Sequence, residues 1–254
     1  MARVKMMPFH VFYFLGFFTR ILKCSGRFIV KRQISFKILI MQILFTFVEA
    51  LGIGTLLAIG LGGAVNVIVS PMLASISQER LIYPVLITLI TREFGPLLTA
   101  FIIAARSGTA IATEIAGMVV SHEIEAYISI GVDPIEHLAV PRFLGVTISL
   151  FLLNIYFSIF GLAGSFIVSM LFNSMPPGVY FNNLLQVLKV NDILISIIKS
   201  LVLGMVISSV ALYHGFEVER ASTEIPVAGL RAVTASLGWC ILFDVLLSAV
   251  YYIA

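Results

Sequence analysis

Charge is scarce in this chain. Charged residues make up 11% of its 254 residues, hydrophobic ones 60%, and the mean hydropathy is +1.09. Soluble domains carry roughly 25% charged residues, so too few polar side chains remain to cover a soluble fold of this length. The composition points to a membrane protein with several spans. Cysteine is also rare: Cys24 lies in a basic segment and Cys240 in an apolar one, which argues against a structural disulfide. The apolar run 9–18 is too short to span, and no small-x-small site follows it, so it does not read as a cleavable signal peptide.

Other absences narrow the function. No G-x-x-x-x-G-K-[ST] loop occurs, so the chain is not expected to grip a nucleotide itself. It has no H-E-x-x-H, no metal-spaced Cys/His cluster and no G-x-S-x-G. His10, His122, His137 and His214 are scattered and read as surface or interface histidines. No nucleophile with a partner base stands out, which argues against an intramembrane hydrolase. No metal, cofactor or nucleic-acid partner is expected. Transport is the default reading, with the energy supplied by another protein.

What the chain does have is long apolar runs. A spanning helix needs about 20 mostly apolar residues. Five stretches qualify, at about 38–69, 81–105, 143–172, 193–214 and 232–253. Twelve of the 16 Lys and Arg residues fall before residue 38, in the 106–142 loop or in the 215–231 loop. Basic loops stay on the cytoplasmic side, so the N-terminus is expected inside and the C-terminus outside. The expectation is an all-α polytopic protein with two parts: a basic amphipathic segment over 1–37 and a five-helix domain over 38–254. In the first part Arg20, Lys23, Arg27 and Lys31 share one stripe, and Phe14, Phe17, Phe18, Ile21, Phe28 and Ile29 another. That pattern suits a helix lying in the membrane interface, with its cations near anionic headgroups.

Against this background the charges inside the runs stand out: Glu49 in the first, Arg92 and Glu93 in the second, Lys199 in the fourth and Asp244 in the fifth. A charge at the centre of a lone spanning helix costs at least ~2.5–3.5 kcal/mol and normally faces a partner or a wet cavity. Arg92 and Glu93 point about 100° apart on an α-helix, so at least one should meet another helix. Pro96 cannot donate to the Arg92 carbonyl, which predicts a kink. Two readings stay open. Arg92 attracts a lipid phosphate while Glu93 orients it, or Arg92 forms an internal ion pair with Asp244 or Glu49. Lys199 reads as snorkelling outward. Small residues at Ala58/Gly62, Gly60/Ala64 and Gly161/Ser165 allow close helix packing.

The loop "TEIAGMVVSHEIEAYISIGVDPIEHLAVPR" (113–142) predicts a short helix capped at Ser121, with Glu123 in its first turn and Ile124, Tyr127 and Ile128 as an apolar stripe beside Glu123 and Glu125. Asp133 and Pro134 restart the chain as the next helix. Together "REFGP" (92–96), "AARSGTAIATEIAGM" (104–118), "EIEAYISIGVDP" (123–134) and "PR" (141–142) resemble the MlaE/YrbE family. These are permease subunits of ABC-type phospholipid transporters that work with MCE-domain proteins. "HGFEV", "GLRAVTAS" and "LFDVLLSA" continue the likeness, while Glu49 and "EVERASTEIPVAG" depart from it. The resemblance implies an interfacial helix followed by five spans, a homodimer in the inner membrane, a cytoplasmic ABC ATPase and an MCE ring on the outer side. It implies that the segment around Glu123, Ile124, Glu125, Tyr127, Ile128 and Asp133 couples to the ATPase. The competing reading is an ion- or proton-coupled carrier titrating Glu49, Glu93 and Asp244; a scaffold subunit without a transport path is a third.

Overall fold

The structure, a computed structural model, describes residues 7–31, 36–173, 176–219 and 221–253, without the side chains of 7–11, 29–31, 36, 79 and 173. Eight helices and one short 3-10 turn (Glu79–Leu81) follow along the described residues, the helices being α1 (Met7–Lys31), α2 (Phe36–Ser75), α3 (Ile82–Val120), α4 (Glu123–Ser129), α5 (Ile135–Phe172), α6 (Pro177–Val187), α7 (Val190–Phe216) and α8 (Glu224–Ile253). Among the described residues five helices, α2, α3, α5, α7 and α8, are long and apolar enough to cross a membrane. The chain is an all-α membrane protein. The five run alternately up and down. One end of the bundle carries α1, α4 and the end of α7 and is the basic end; the other carries α6 and the end of α8 and is the far end.

The helices exceed the apolar runs that announce them. The largest excess is in α3, where the stretch 106–120 continues as helix instead of opening the loop expected there. Two of its polar residues, Thr109 and Thr113, face a glycine of a neighbouring helix, while Glu114 pairs with Arg142 at 2.6 Å. An added Cβ on Gly229 of α8 would meet Thr113 at 2.9 Å and Thr109 at 3.0 Å, and one on Gly215 of α7 would meet the Ala112 carbonyl at 3.0 Å. Close packing therefore holds a helix through a segment whose composition reads as loop.

The same device joins α2 to α5. Gly62 lies against the Gly161 carbonyl, closer than a side chain would allow, and Gly164 lies against the backbone of Ile59. Ala58 is fully buried in this seam. Asn66 donates to the Ser165 carbonyl at 3.0 Å and to its Oγ at 2.8 Å. The Gly60/Ala64 pair does not join the seam; both residues are exposed.

The long helices form an arc, α2 to α5 to α7 to α8, and α3 packs against all four from within it. α1 lies across the basic end: Ile21, Cys24 and Phe28 are buried, while Phe14 and Phe17 meet the Tyr213 ring edge-on. Two of its cations find protein partners: Arg20 pairs with Asp133 at 2.8 Å and Arg27 approaches Glu136 at 3.9 Å. Burial pushes the Cys24 thiol up from its ordinary range, and both cysteines are free. The position expected for Lys31 in that stripe lies outside the described side chains.

Candidate functional site

α3 is not an even α-helix. Two wide π segments interrupt it, at Ile87–Phe94 and Ala104–Gly108, on either side of an α segment at Gly95–Ile103. Such segments concentrate at functional sites. Pro96 follows the first of them and stands at the opening of the α segment, where a missing N–H is tolerated best. Gly95 permits a further close approach: a Cβ there would meet the Ile90 carbonyl at 2.6 Å and Asn154 Oδ1 at 2.8 Å. Asn154 in turn donates to Ser196 Oγ at 2.8 Å, and Ser196 donates to the Thr91 carbonyl at 2.7 Å. The wide turn is thus held by side chains of α5 and α7.

The first π segment carries Arg92 and Glu93 into a buried cluster at the far end. Arg92 pairs with Asp192 at 3.2 Å and with Glu93 at 3.5 Å, and it donates to the Tyr252 hydroxyl. Its guanidinium lies 4.8 Å from the Tyr251 ring centre and 4.7 Å from that of Tyr252, which adds a cation–π attraction. Lys199 pairs with Glu93 at 2.6 Å and Asp244 at 3.0 Å, and it donates to Ser248 Oγ at 2.7 Å. Ser248 passes a hydrogen bond on to Glu93 at 2.9 Å.

Several expectations change here. Lys199 does not snorkel outward; its side chain is 0% exposed, because two carboxylates on α3 and α8 converge on it. Arg92 meets neither Asp244 nor Glu49 but Asp192, at the start of α7. The side chains of Arg92 and Glu93 do reach each other across adjacent positions. Glu49 is not in the cluster. It pairs with Arg106 at 2.6 Å, 14 residues further along α3, about 20 Å away at 1.5 Å per residue. Asp192, Tyr251, Tyr252 and Ser248 complete a site that the sequence did not disclose.

At the basic end the chain turns sharply through His122 (φ +62°) into α4 and leaves it through Gly131 (φ +80°). His122, not Ser121, stands at the head of α4, and Ser121 donates instead to the Glu123 carboxylate at 3.0 Å. Glu125 pairs with His122 at 2.9 Å. Ile124 and Tyr127 pack toward the core, and the Tyr127 ring lies 5.5 Å from that of His137. Ile128 and Ile130 point away, 60% and 72% exposed. Asp133 accepts from the Ile135 N–H at 2.9 Å while it holds Arg20. A cavity of about 340 Å³ opens between α1, α7 and α8, with walls that include Phe14, Phe18, Val206, Trp239 and Phe243.

Residues 39–250 match the family model described as permease MlaE. The chain belongs to the MlaE permease family. Three relatives show its breadth. A probable ABC transporter permease protein of Rickettsia prowazekii is 26% identical over 224 residues, covering 88% of this chain and 86% of its own. The intermembrane phospholipid transport system permease protein MlaE of Haemophilus influenzae is 26% identical over 230 residues, covering 89% and 88%. The chloroplastic protein trigalactosyldiacylglycerol 1 of Arabidopsis thaliana is 26% identical over 224 residues, covering 88% and 64%. This MlaE-family permease therefore combines a buried charge cluster at one end of α3 with a short acidic helix at the other.

Proposed function

We propose that the protein is the membrane-embedded subunit of an ATP-driven phospholipid transporter. In this reading two copies sit in the inner membrane, with N-termini cytoplasmic and C-termini periplasmic. A cytoplasmic ABC ATPase drives them, and an MCE-domain protein carries lipid between inner and outer membranes. The chain itself does no hydrolysis; the partner supplies it. The basic end, with α4, faces the ATPase.

One observation carries the reading: α3 is a single helix that bears Arg92 and Glu93 near one end and hands over to α4 at the other. α4 offers a partner an exposed apolar residue, Ile128, beside Glu123 and Glu125. Its inward residues, Ile124 and Tyr127, tie it to the bundle, and Asp133 anchors the following turn to α1. A push on α4 therefore reaches α3 directly. The cluster's two cations are already answered by three carboxylates, so a phosphate gains Arg92 only when Asp192 lets it go. In the state described the cluster clamps α3, α7 and α8 together, and its opening is the step that would admit a headgroup. The proton-carrier reading loses ground, because Glu49 stands apart from Glu93 and Asp244.

The test is reconstitution with the ATPase and a vesicle lipid-transfer assay. Ile128→Asp should abolish ATPase association by pull-down while membrane insertion stays normal. Proton-driven lipid flux by the chain alone, or unchanged association in that variant, would overturn the proposal.

A further inference from the structure

The cavity of about 340 Å³ under α1 has two spanning helices for walls and an amphipathic helix for a roof. α1 leans on α7, where Phe14 and Phe17 meet Tyr213, and the space between it and α8 stays open. The walls run from His214 back to Val206 on α7 and from Ala235 to Phe243 on α8. Each is a rise of about 12 Å at 1.5 Å per residue. Ser209 turns its hydroxyl to the Met205 carbonyl at 2.6 Å, so it offers the cavity little polarity. Over such a length the volume is a slot with the width of one hydrocarbon chain. An apolar cavity of about 150 Å³ already stays dry and takes up benzene.

The mouth of the slot carries a charge. Lys199 pairs with Asp244 and bonds Ser248, which sets the antiparallel register of α7 and α8. Counted from that contact, Val206 stands level with about residue 239 and His214 with about residue 231. Arg231 lies one turn before Ala235, on the stripe that continues through Trp239 and Phe243 in steps of four. It is exposed, and its side chain forms no ion pair among the described residues. Glu217, at the end of α7, is turned to His214 at 3.6 Å. The roof shows what surrounds this mouth. Phe12 and Tyr13 of α1 are 75% and 69% exposed, on a helix whose other stripe is basic, the pattern of a helix lying in the membrane interface. The slot therefore starts at headgroup depth and descends among acyl chains.

From this we infer that the slot holds one acyl chain of a phospholipid from the leaflet at the basic end, with the lipid phosphate against Arg231. The guanidinium matches the phosphate in charge and geometry, and the walls match the chain in polarity. The lipid wedges α1 against α7 and α8, and α1 in turn holds Asp133 through Arg20. Occupancy of the slot thus bears on the turn that follows α4. The position is at the opposite end of the bundle from Arg92, and it rests only on the chain being embedded in a membrane.

Trp239 is the chain's one tryptophan and stands in the wall, so it reports occupancy directly. Delipidated full-length protein in maltoside micelles is titrated with a phospholipid brominated on its acyl chains, and Trp239 fluorescence is followed. Quenching should saturate at one lipid per chain. Ala235→Phe, which fills the slot, should abolish the saturable phase. Arg231→Gln, an exposed substitution that leaves the walls intact, should weaken binding about tenfold, the scale of one charge-assisted contact. Brominated diacylglycerol, with the same chains and no phosphate, should bind the unaltered protein as weakly as the phospholipid binds Arg231→Gln. Quenching that rises without saturating, that survives Ala235→Phe, or that saturates alike with and without Arg231 would overturn the site. Each of those outcomes leaves the transporter reading standing, because that reading places the transported headgroup at Arg92.

Discussion

Arg92 and Arg106 lie on the same helix, 14 residues apart, and each is paired with glutamate, yet their surroundings are opposite. Arg92 is enclosed by α7 and α8, stacked on two tyrosines and shared between two carboxylates. Arg106 has one carboxylate and an open side. Buried ionic groups are costly to take out of water, and removing one partner leaves the others stranded. Exposed pairs contribute little to folding, about 0–1 kcal/mol. The first site therefore holds this chain together, while the second is left for whatever covers it.

That contrast can be broken by substitution. The largest effect is expected for Lys199→Ala, which leaves Glu93 and Asp244 buried and facing each other. It should lower stability by about 3–5 kcal/mol, read as a fall in the melting temperature of the detergent-solubilised protein. Next comes Gly62→Ala, whose new methyl would run into the Gly161 carbonyl; about 1–3 kcal/mol is expected from such overpacking. Arg106→Ala should cost about 1 kcal/mol or less by the same melting measurement. Equal losses for Lys199→Ala and Arg106→Ala would erase the distinction. Gly60→Ala, with open space around it, should be neutral or raise stability by a few tenths of a kcal/mol through helix propensity.

The spans were legible because their signal is one-dimensional: twenty apolar residues in a row need no tertiary information. Glu123, Ile124 and Tyr127 were likewise placed by local pattern. The pairing of charges was not. Lys199 lies 106 residues from Glu93 and 49 from Ser248, and no local pattern sets the rotation of three helices about one another. Asp192, three residues after Lys189 at the head of a span, has no local pattern to mark it. A signal was nonetheless present: Glu93 and Asp244 inside apolar runs call for more than Arg92 alone, and Lys199 was the only other cation at comparable depth. The helix through 106–120 was missed because contacts with Gly229 and Gly215, not composition, hold it.

Helical phase, finally, is a ruler, and in α3 the ruler has been cut twice. Fourteen residues of even α-helix would rotate by a whole number of turns less 40°, setting Arg92 and Arg106 almost in line. The segments Ile87–Phe94 and Ala104–Gly108 spread extra residues over their turns, and the second arginine swings out of line with the first. One stretch of backbone thus aims one guanidinium at its own bundle and the next at the open side. A helical wheel drawn through 82–120 at a single period would assign one of them to the wrong neighbour. A cysteine-accessibility scan along α3 should show its rhythm break at both wide turns, and deleting one residue between 104 and 108 should rotate the outward face relative to the inward one.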